Sequence, residues 1–141
     1  MRLLDAADRP SGALRDRLID KGYDDETVAA VVDRLIEVGL VDDESYAQSA
    51  VRYCVGRLMG YRGAVMELAR KGVDRPLAER VCDEARMSGV FEDAAWEWGR
   101  RSAAKTQGMD PKVRKRRFWS SGGRKGHDAE TLRAVAHELF D

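Results

Sequence analysis

Seven cations crowd one short stretch of the chain: Lys112, Arg114, Lys115, Arg116, Arg117, Arg124 and Lys125, with Phe118 and Trp119 among them. Between Asp110 and Asp128 there is no acid. Side chains of this type and density bind phosphate groups or an acidic protein surface. A scattered charge run is usually a solvated helix face, but the surroundings argue for binding here. The formal net charge of zero hides a segregation: residues 1–98 hold 14 basic and 20 acidic side chains, residues 99–126 hold 10 basic and 1 acidic, and residues 127–141 are net negative again. At 100° per residue the cations cannot share one helix face. Lys112, Lys115 and Arg116 fall on one side and Arg114 and Arg117 on another. Arg124 and Lys125 are expected beyond a loose Gly122-Gly123 turn, where they could close on the same ligand. Phe118 and Trp119 read as core residues, because this part of the chain is otherwise poor in large apolar side chains.

Catalytic chemistry finds no support. His127 and His137 are ten residues apart and have no cysteine partners at zinc-ligand spacing. Asp42-Asp43-Glu44 suits the N-terminus of a helix, where carboxylates cap free amides and meet the positive end of the dipole. Gly56, Gly60 and Gly63 precede no Gly-Lys-Ser/Thr and follow no strand, so they make no phosphate loop. Ser120 and Ser121 have no base nearby. Cys54 and Cys82 lack metal-ligand spacing, and Cys82 lies on an apolar stripe as a small buried hydrophobe. The reading is a protein that is not an enzyme, with no metal and no cofactor.

The elements that must position the cations follow from a repeat. Lys-Gly-x-Asp occurs at Lys21-Gly22-Tyr23-Asp24, Lys71-Gly72-Val73-Asp74 and Lys125-Gly126-His127-Asp128. In each copy glycine ends one helix in the left-handed conformation and aspartate caps the next. The helices that follow carry matching apolar stripes: Val28, Val31, Val32, Leu35; Ala78, Val81, Cys82, Ala85; and Leu132, Val135, Ala136, Leu139. Val31, Val81 and Val135 are thus expected to be equivalent buried positions. The helices before the turns align less well, Leu14 and Leu18 with Ala64 and Leu68, then Phe118 and Gly122. A further helix precedes each pair, one from Asp43 with Tyr46, Ala50 and Val51, another from Glu92 or Asp93 with Ala95, Trp96 and Trp98. Only Met1 to Ala7 remains for the first.

These signals predict an all-α fold of three tandem three-helix, helix-turn-helix-like repeats in an elongated, slightly curved array. The units are residues 1–41, 42–89 and 90–141, the last divergent and basic. Nothing alternates at strand period. Units of about 50 residues have marginal cores alone, so neighbours must pack end to end. The absence of a long apolar run, the early charge in Met1-Arg2-Leu3-Leu4-Asp5 and the unpaired cysteines suit a reducing cytoplasm.

Two stretches carry more than a fold class. Asp33-Arg34-Leu35-Ile36-Glu37-Val38-Gly39-Leu40 leads into Val41-Asp42-Asp43-Glu44-Ser45-Tyr46-Ala47-Gln48-Ser49-Ala50-Val51-Arg52. Gly60-Tyr61-Arg62 and Glu67-Leu68-Ala69-Arg70-Lys71-Gly72-Val73 follow. Together with the opening from Ser11 to Tyr23 they resemble the RecX family, regulators of the bacterial recombinase RecA. The resemblance covers about residues 3–86 well and the rest weakly. It implies tandem three-helix repeats and a protein without catalysis that binds the groove of the RecA–DNA filament and depresses ATP hydrolysis and strand exchange. Arg52, Arg57, Arg62, Arg70 and Lys71 match or neighbour its motifs and become contact candidates on one groove-facing side. The expected partners are the RecA filament and DNA phosphate backbone, with no membrane, for a protein acting as a monomer. A sequence-independent DNA-binding protein is the alternative, disfavoured by the acidic first two repeats.

Overall fold

The structure, a computed structural model, describes residues 9–141, so the short first helix expected within Met1 to Ala7 lies outside it. Among the described residues there are eight helices and no strand: α1 (Ser11–Asp20), α2 (Asp25–Glu37), α3 (Asp43–Gly56), α4 (Tyr61–Arg70), α5 (Arg75–Met87), α6 (Val90–Lys105), α7 (Pro111–Arg124) and α8 (Ala129–Phe140). They form an all-α array of tandem repeats, with α1 and α2 in the first, α3 to α5 in the second and α6 to α8 in the third.

Each Lys-Gly-x-Asp does what its chemistry dictates. Gly22, Gly72 and Gly126 take φ of 98°, 100° and 88°, a region closed to most side chains. Asp24 and Asp128 accept from the Thr27 and Thr131 amides, both at 2.7 Å, and so cap α2 and α8. Asp74 makes no such bond, and Pro76 at the start of α5 supplies a preset φ instead. Helix α6 starts at Val90, directly after Gly89 (φ 86°), rather than at Glu92 or Asp93. Those two acids occupy its first turn, where the dipole favours them.

Three buried clusters follow the repeats. Leu14, Leu18, Val28, Val32, Leu35 and Val41 form the first. Leu68, Val73, Val81, Cys54 and Cys82 lie in the second, which also takes in Phe91 from α6. Phe118, stacked on Phe140 at 5.2 Å, centres the third with Leu132 and Val135. Burial pushes the Cys82 thiol up to about 12, as suits an inert hydrophobe.

Two expectations need correction. Val81 and Val135 are buried, but Val31 is 40% exposed. In the second repeat α3 packs across α5 and covers that face, whereas no described helix covers the same face of α2. The buried stripe of α2 is Val28, Val32 and Leu35. Gly122-Gly123 is no turn either, because α7 runs through it to Arg124. Gly122 is a packing position: a Cβ there would meet Leu132 Cδ2 at 2.5 Å. The helix thus approaches α8 closely opposite the bulk of Phe118.

Adjacent repeats dock through one recurring contact. The Lys-Gly turn after α4 sits on the first turn of α1, and the one after α7 sits on the first turn of α4. A Cβ on Gly72 would lie 2.5 Å from the Ala13 amide nitrogen at the start of α1. At the next junction the Gly60 amide donates to the Lys125 carbonyl at 2.8 Å and the Arg62 amide to the Gly126 carbonyl at 3.2 Å. A Cβ on Gly60 would sit 2.5 Å from the Gly126 carbonyl oxygen. The free amides of a helix N-terminus are thereby satisfied by the carbonyls of another helix's C-terminal turn. At the first junction Asp43 adds a side-chain bridge, accepting from the Ser11 amide at 2.7 Å and hydroxyl at 2.6 Å.

The docking predicts opposite effects for the same substitution in two helices. Gly123→Ala meets open space and should raise stability by up to about 1 kcal/mol through helix propensity. Gly63→Ala drives a methyl into the Lys125 carbonyl and should lower it by about 1–3 kcal/mol. Denaturant titration reads both, and a gain for Gly63→Ala would show that the repeats do not dock this way. The corrected stripe predicts that Val32→Asp costs several kcal/mol, a large share of a small domain's stability, while Val31→Asp leaves the melting temperature nearly unchanged.

Candidate functional site

The second junction gathers charge as well as glycine. Arg57 caps the C-terminus of α3, Arg70 and Lys71 end α4, and Arg124 and Lys125 end α7. Their side chains line one hollow of 520 Å³ together with Tyr53, Met59 and Glu67. Glu67 is the lone carboxylate of that lining; it pairs with Arg70 and lies 3.9 Å from Lys71 Nζ. The Arg70 guanidinium holds it below the usual carboxylate range. Arg57 donates to the Tyr53 hydroxyl at 3.2 Å and Arg124 to Ser120 Oγ at 3.0 Å. Lys125 Nζ donates to the Arg57 carbonyl at 2.8 Å and lies 4.6 Å from the centre of the Trp98 ring. Burial first, then the Arg57 and Arg101 charges, holds Lys125 below its ordinary value.

A second hollow of 620 Å³ adjoins it between α6 and α7 and shares Arg124. Lys105, Arg117 and Trp98 line it, and no carboxylate does. Sharing Arg124, the two hollows make up a cationic furrow, the first part at the junction of the second and third repeats and the second part within the third. Such a surface attracts phosphate groups and offers few acids to repel them.

The candidates from sequence divide accordingly. Arg57, Arg70, Lys71, Arg124 and Lys125 come together in the first hollow and Arg117 lines the second. Arg52 lies elsewhere: it lines a separate hollow of 400 Å³ with Val51, Val55 and Val81, and donates to Ser49. Five residues along α3 turn it about 140° from Arg57. Arg62 stands at the opposite end of α4 from Arg70, about 12 Å away along the axis. The four motif arginines and the lysine therefore do not share one face. Arg114 is turned inward, donating to Thr106 Oγ1 at 3.1 Å and to the Ala103 carbonyl at 3.0 Å, with its guanidinium near the Phe140 ring. Lys115 pairs with Asp141. Lys112 and Arg116 are exposed on α7 and line neither hollow of the furrow.

Sequence reasoning missed Trp98, Lys105 and Tyr53. Trp98, Ser102 and Lys105 fall at i, i+4 and i+7 on α6, the spacing of one helix face, so that signal was present. Tyr53 sits four residues before Arg57 on α3. Among the described residues no group of three or more metal-ligating side chains comes together, and no helix is long and apolar enough to cross a membrane.

Comparison with known proteins decides the family. A family model described as the first three-helix domain of RecX matches residues 1–35. The regulatory protein RecX of Thermobifida fusca is 36% identical over 143 residues, covering 99% of this chain and 76% of that protein. The chain belongs to the RecX family. Its fold agrees: a crystal structure of RecX from Lactobacillus salivarius superposes with a TM-score of 0.80 over 93% of this chain and 85% of that one, at 19% identity. The regulatory protein RecX of Mycobacterium sp. (strain JLS) is 48% identical over 77 residues, which is 52% of this chain. The matched part spans only 41% of that RecX protein's length.

The third turn of this RecX chain also carries a titratable contact. His127 is buried, and its Nε2 donates to the Leu58 carbonyl at 2.8 Å. Burial holds the imidazole below its ordinary 6.5, against the opposing pull of the Leu58 bond. The folded state therefore prefers the neutral ring. Its contribution is complete above the unfolded value and is lost as the pH falls below about 6.5 toward the folded value. The melting temperature of the third repeat should drop between pH 7.5 and pH 5. His127→Gln keeps a donor for Leu58 and should flatten that part of the profile.

Proposed function

We propose that this chain is a non-catalytic regulator that lies along a RecA–DNA filament and depresses its ATP hydrolysis and strand exchange. The cationic furrow carries the reading: seven cations and one carboxylate line two hollows that share Arg124, one at the junction of two helical repeats and one within the third repeat. Membership of the RecX family supports it, since the relatives from Thermobifida and Mycobacterium are regulatory proteins. A filament is long and periodic, and an array of helical repeats offers several spaced contacts to it. Contacts made in parallel raise affinity by roughly 10²–10⁴ without any single strong site. Slowing the movement of filament protomers needs no chemistry from the regulator. We take the protein to act as a monomer in the cytoplasm, with DNA phosphates in the furrow.

RecA-dependent ATP hydrolysis on single-stranded DNA tests the reading. Inhibition should appear at far less than one regulator per RecA protomer. Inhibition that needs enough protein to coat the DNA would instead indicate a plain DNA-binding protein. Lys105→Gln with Arg117→Gln empties the second hollow of two cations. The doubly substituted protein should inhibit at least about tenfold more weakly, and its log-affinity against log-salt slope for single-stranded DNA should flatten by roughly 1.4, at about 0.7 per phosphate contact. Unchanged inhibition by a folded variant would remove the second hollow from the contact surface.

A further inference from the structure

The first hollow poses a question that binding along a filament does not answer. Each of its cations, taken singly, has a structural explanation. Arg57, Lys71 and Lys125 are the C-caps of α3, α4 and α7, and positive charge is favoured at a helix C-terminus. That accounts for three cations at three helix ends. It does not account for three helix ends brought to one place with a single acid among five cations. Like charges at close range repel: the Lys125 ammonium is disfavoured first by burial and then by the Arg57 and Arg101 charges. Arg57, Arg124 and Lys125 have no carboxylate partner among the described residues. The hollow is also polar and cleft-shaped and opens between two repeats, with Arg57 and Lys71 from the second facing Arg124 and Lys125 from the third.

We propose that this cleft is a phosphate clamp: phosphate groups bind between Arg57 and Lys71 on one side and Arg124 and Lys125 on the other, and by bridging them fix the third repeat against the second. The proposal deepens the filament reading and rests on it for the natural source of the phosphates. The chemistry itself is that of a multiply charged phosphate group, whether on a nucleic-acid strand or in a free polyphosphate. Arg57 and Arg124 offer planar forks that meet two oxygens at once, and Lys71 and Lys125 add point charges. A ligand held from both sides binds the docked arrangement and not the parted one, so it stabilises the junction by mass action.

The chain carries its own reporter. Trp96, Trp98 and Trp119 are its three tryptophans, and all lie in the third repeat, whereas Arg57 and Lys71 lie in the second. Tryptophan fluorescence thus follows unfolding of the third repeat alone. The full chain is melted with and without inorganic tripolyphosphate, and in parallel with a short oligo-dT, at matched ionic strength. A saturable rise of several degrees is expected with at least one of them. Competition between the two identifies the source: tripolyphosphate displacing the oligonucleotide places both in the cleft, and a rise with oligo-dT alone assigns the clamp to nucleic acid. In Arg57→Gln with Lys71→Gln that rise in the third repeat should vanish, although no residue of that repeat has changed. Arg57 is exposed, Lys71 is half-buried at the rim with no buried partner, and the Arg57 carbonyl still accepts from Lys125, so the unliganded variant should keep its circular dichroism and melting temperature within a few degrees. A rise undiminished in that variant would place the anion on the third repeat alone and overturn the clamp, as would no saturable rise with either ligand. Loss of RecA inhibition with the phosphate response intact, or the reverse, separates failure of the filament reading from failure of the clamp.

Discussion

The architecture depends on one backbone contact, the seating of a Lys-Gly turn on the first turn of a helix in the preceding repeat. Two conditions must hold together. The turn must present carbonyls outward, which the left-handed glycine allows, and the helix start must present free amides without a side chain in the way. Gly60 and Gly63 meet the second condition at the junction of the second and third repeats, and Gly12 at the junction of the first and second. Buried amides left without acceptors would each cost about 1–3 kcal/mol, so the contact either forms completely or the repeats part. Hydrophobic burial between repeats is secondary, with Phe91 the main apolar side chain of the third repeat that enters the second core.

The charge cluster is a consequence of that contact. When the Lys125 turn sits on α4, the C-terminus of α7 arrives beside the C-terminus of α3, and Lys125 and His127 reach the Arg57 and Leu58 carbonyls. Those carbonyls are orphaned at a helix end, and Leu58, with φ of 61°, is the one non-glycine residue in the left-handed region among those described. The polar groups that complete the α3 terminus are thus supplied by the next repeat. Arg57, Arg70 and Lys71 are already there, so docking completes the first hollow and joins it at Arg124 to the second.

The repeat and its consequences were legible because they rest on local rules. A glycine at a helix end, an aspartate cap and a 3.6-residue apolar period act within a few residues; all three copies keep the left-handed glycine, and two keep the aspartate cap. What failed did so where a neighbouring element decides. Val31 satisfies the periodicity as well as Val32 does, and only the presence or absence of a covering helix separates them. Gly122-Gly123 reads locally as a break, yet the helix continues because Leu132 occupies the space that a side chain would need. The basic block was visible as composition, but which cations are free was not. Arg114 is consumed by carbonyl and hydroxyl acceptors on α6 and the following turn, eight or more residues back, and Lys115 by the final residue of the chain. The furrow draws instead on cations scattered from Arg57 to Lys125, and the grouping of its first hollow exists only after the turn has docked.

The two junctions share the close seating of a Lys-Gly turn on a helix start, with backbone hydrogen bonds across the second, and they differ in sign. At the first, Asp43 bridges to Ser11, and the first repeat, residues 1–41, is acidic with 6 basic and 9 acidic side chains, while residues 42–89 are balanced at 8 and 8. At the second, cations converge with a single carboxylate among them. The array is therefore electrostatically polar along its length, although its net charge is zero. A uniformly basic rod would bind a polyanion in either direction and at any register, held by counterion release alone. A rod with opposite signs at its two ends has one favourable direction of approach, because turning it over brings carboxylates against phosphates. Segregated charge in a neutral protein thus restricts orientation more than it raises affinity. That suits a partner presenting both protein and phosphate surfaces, and it suits bare nucleic acid poorly.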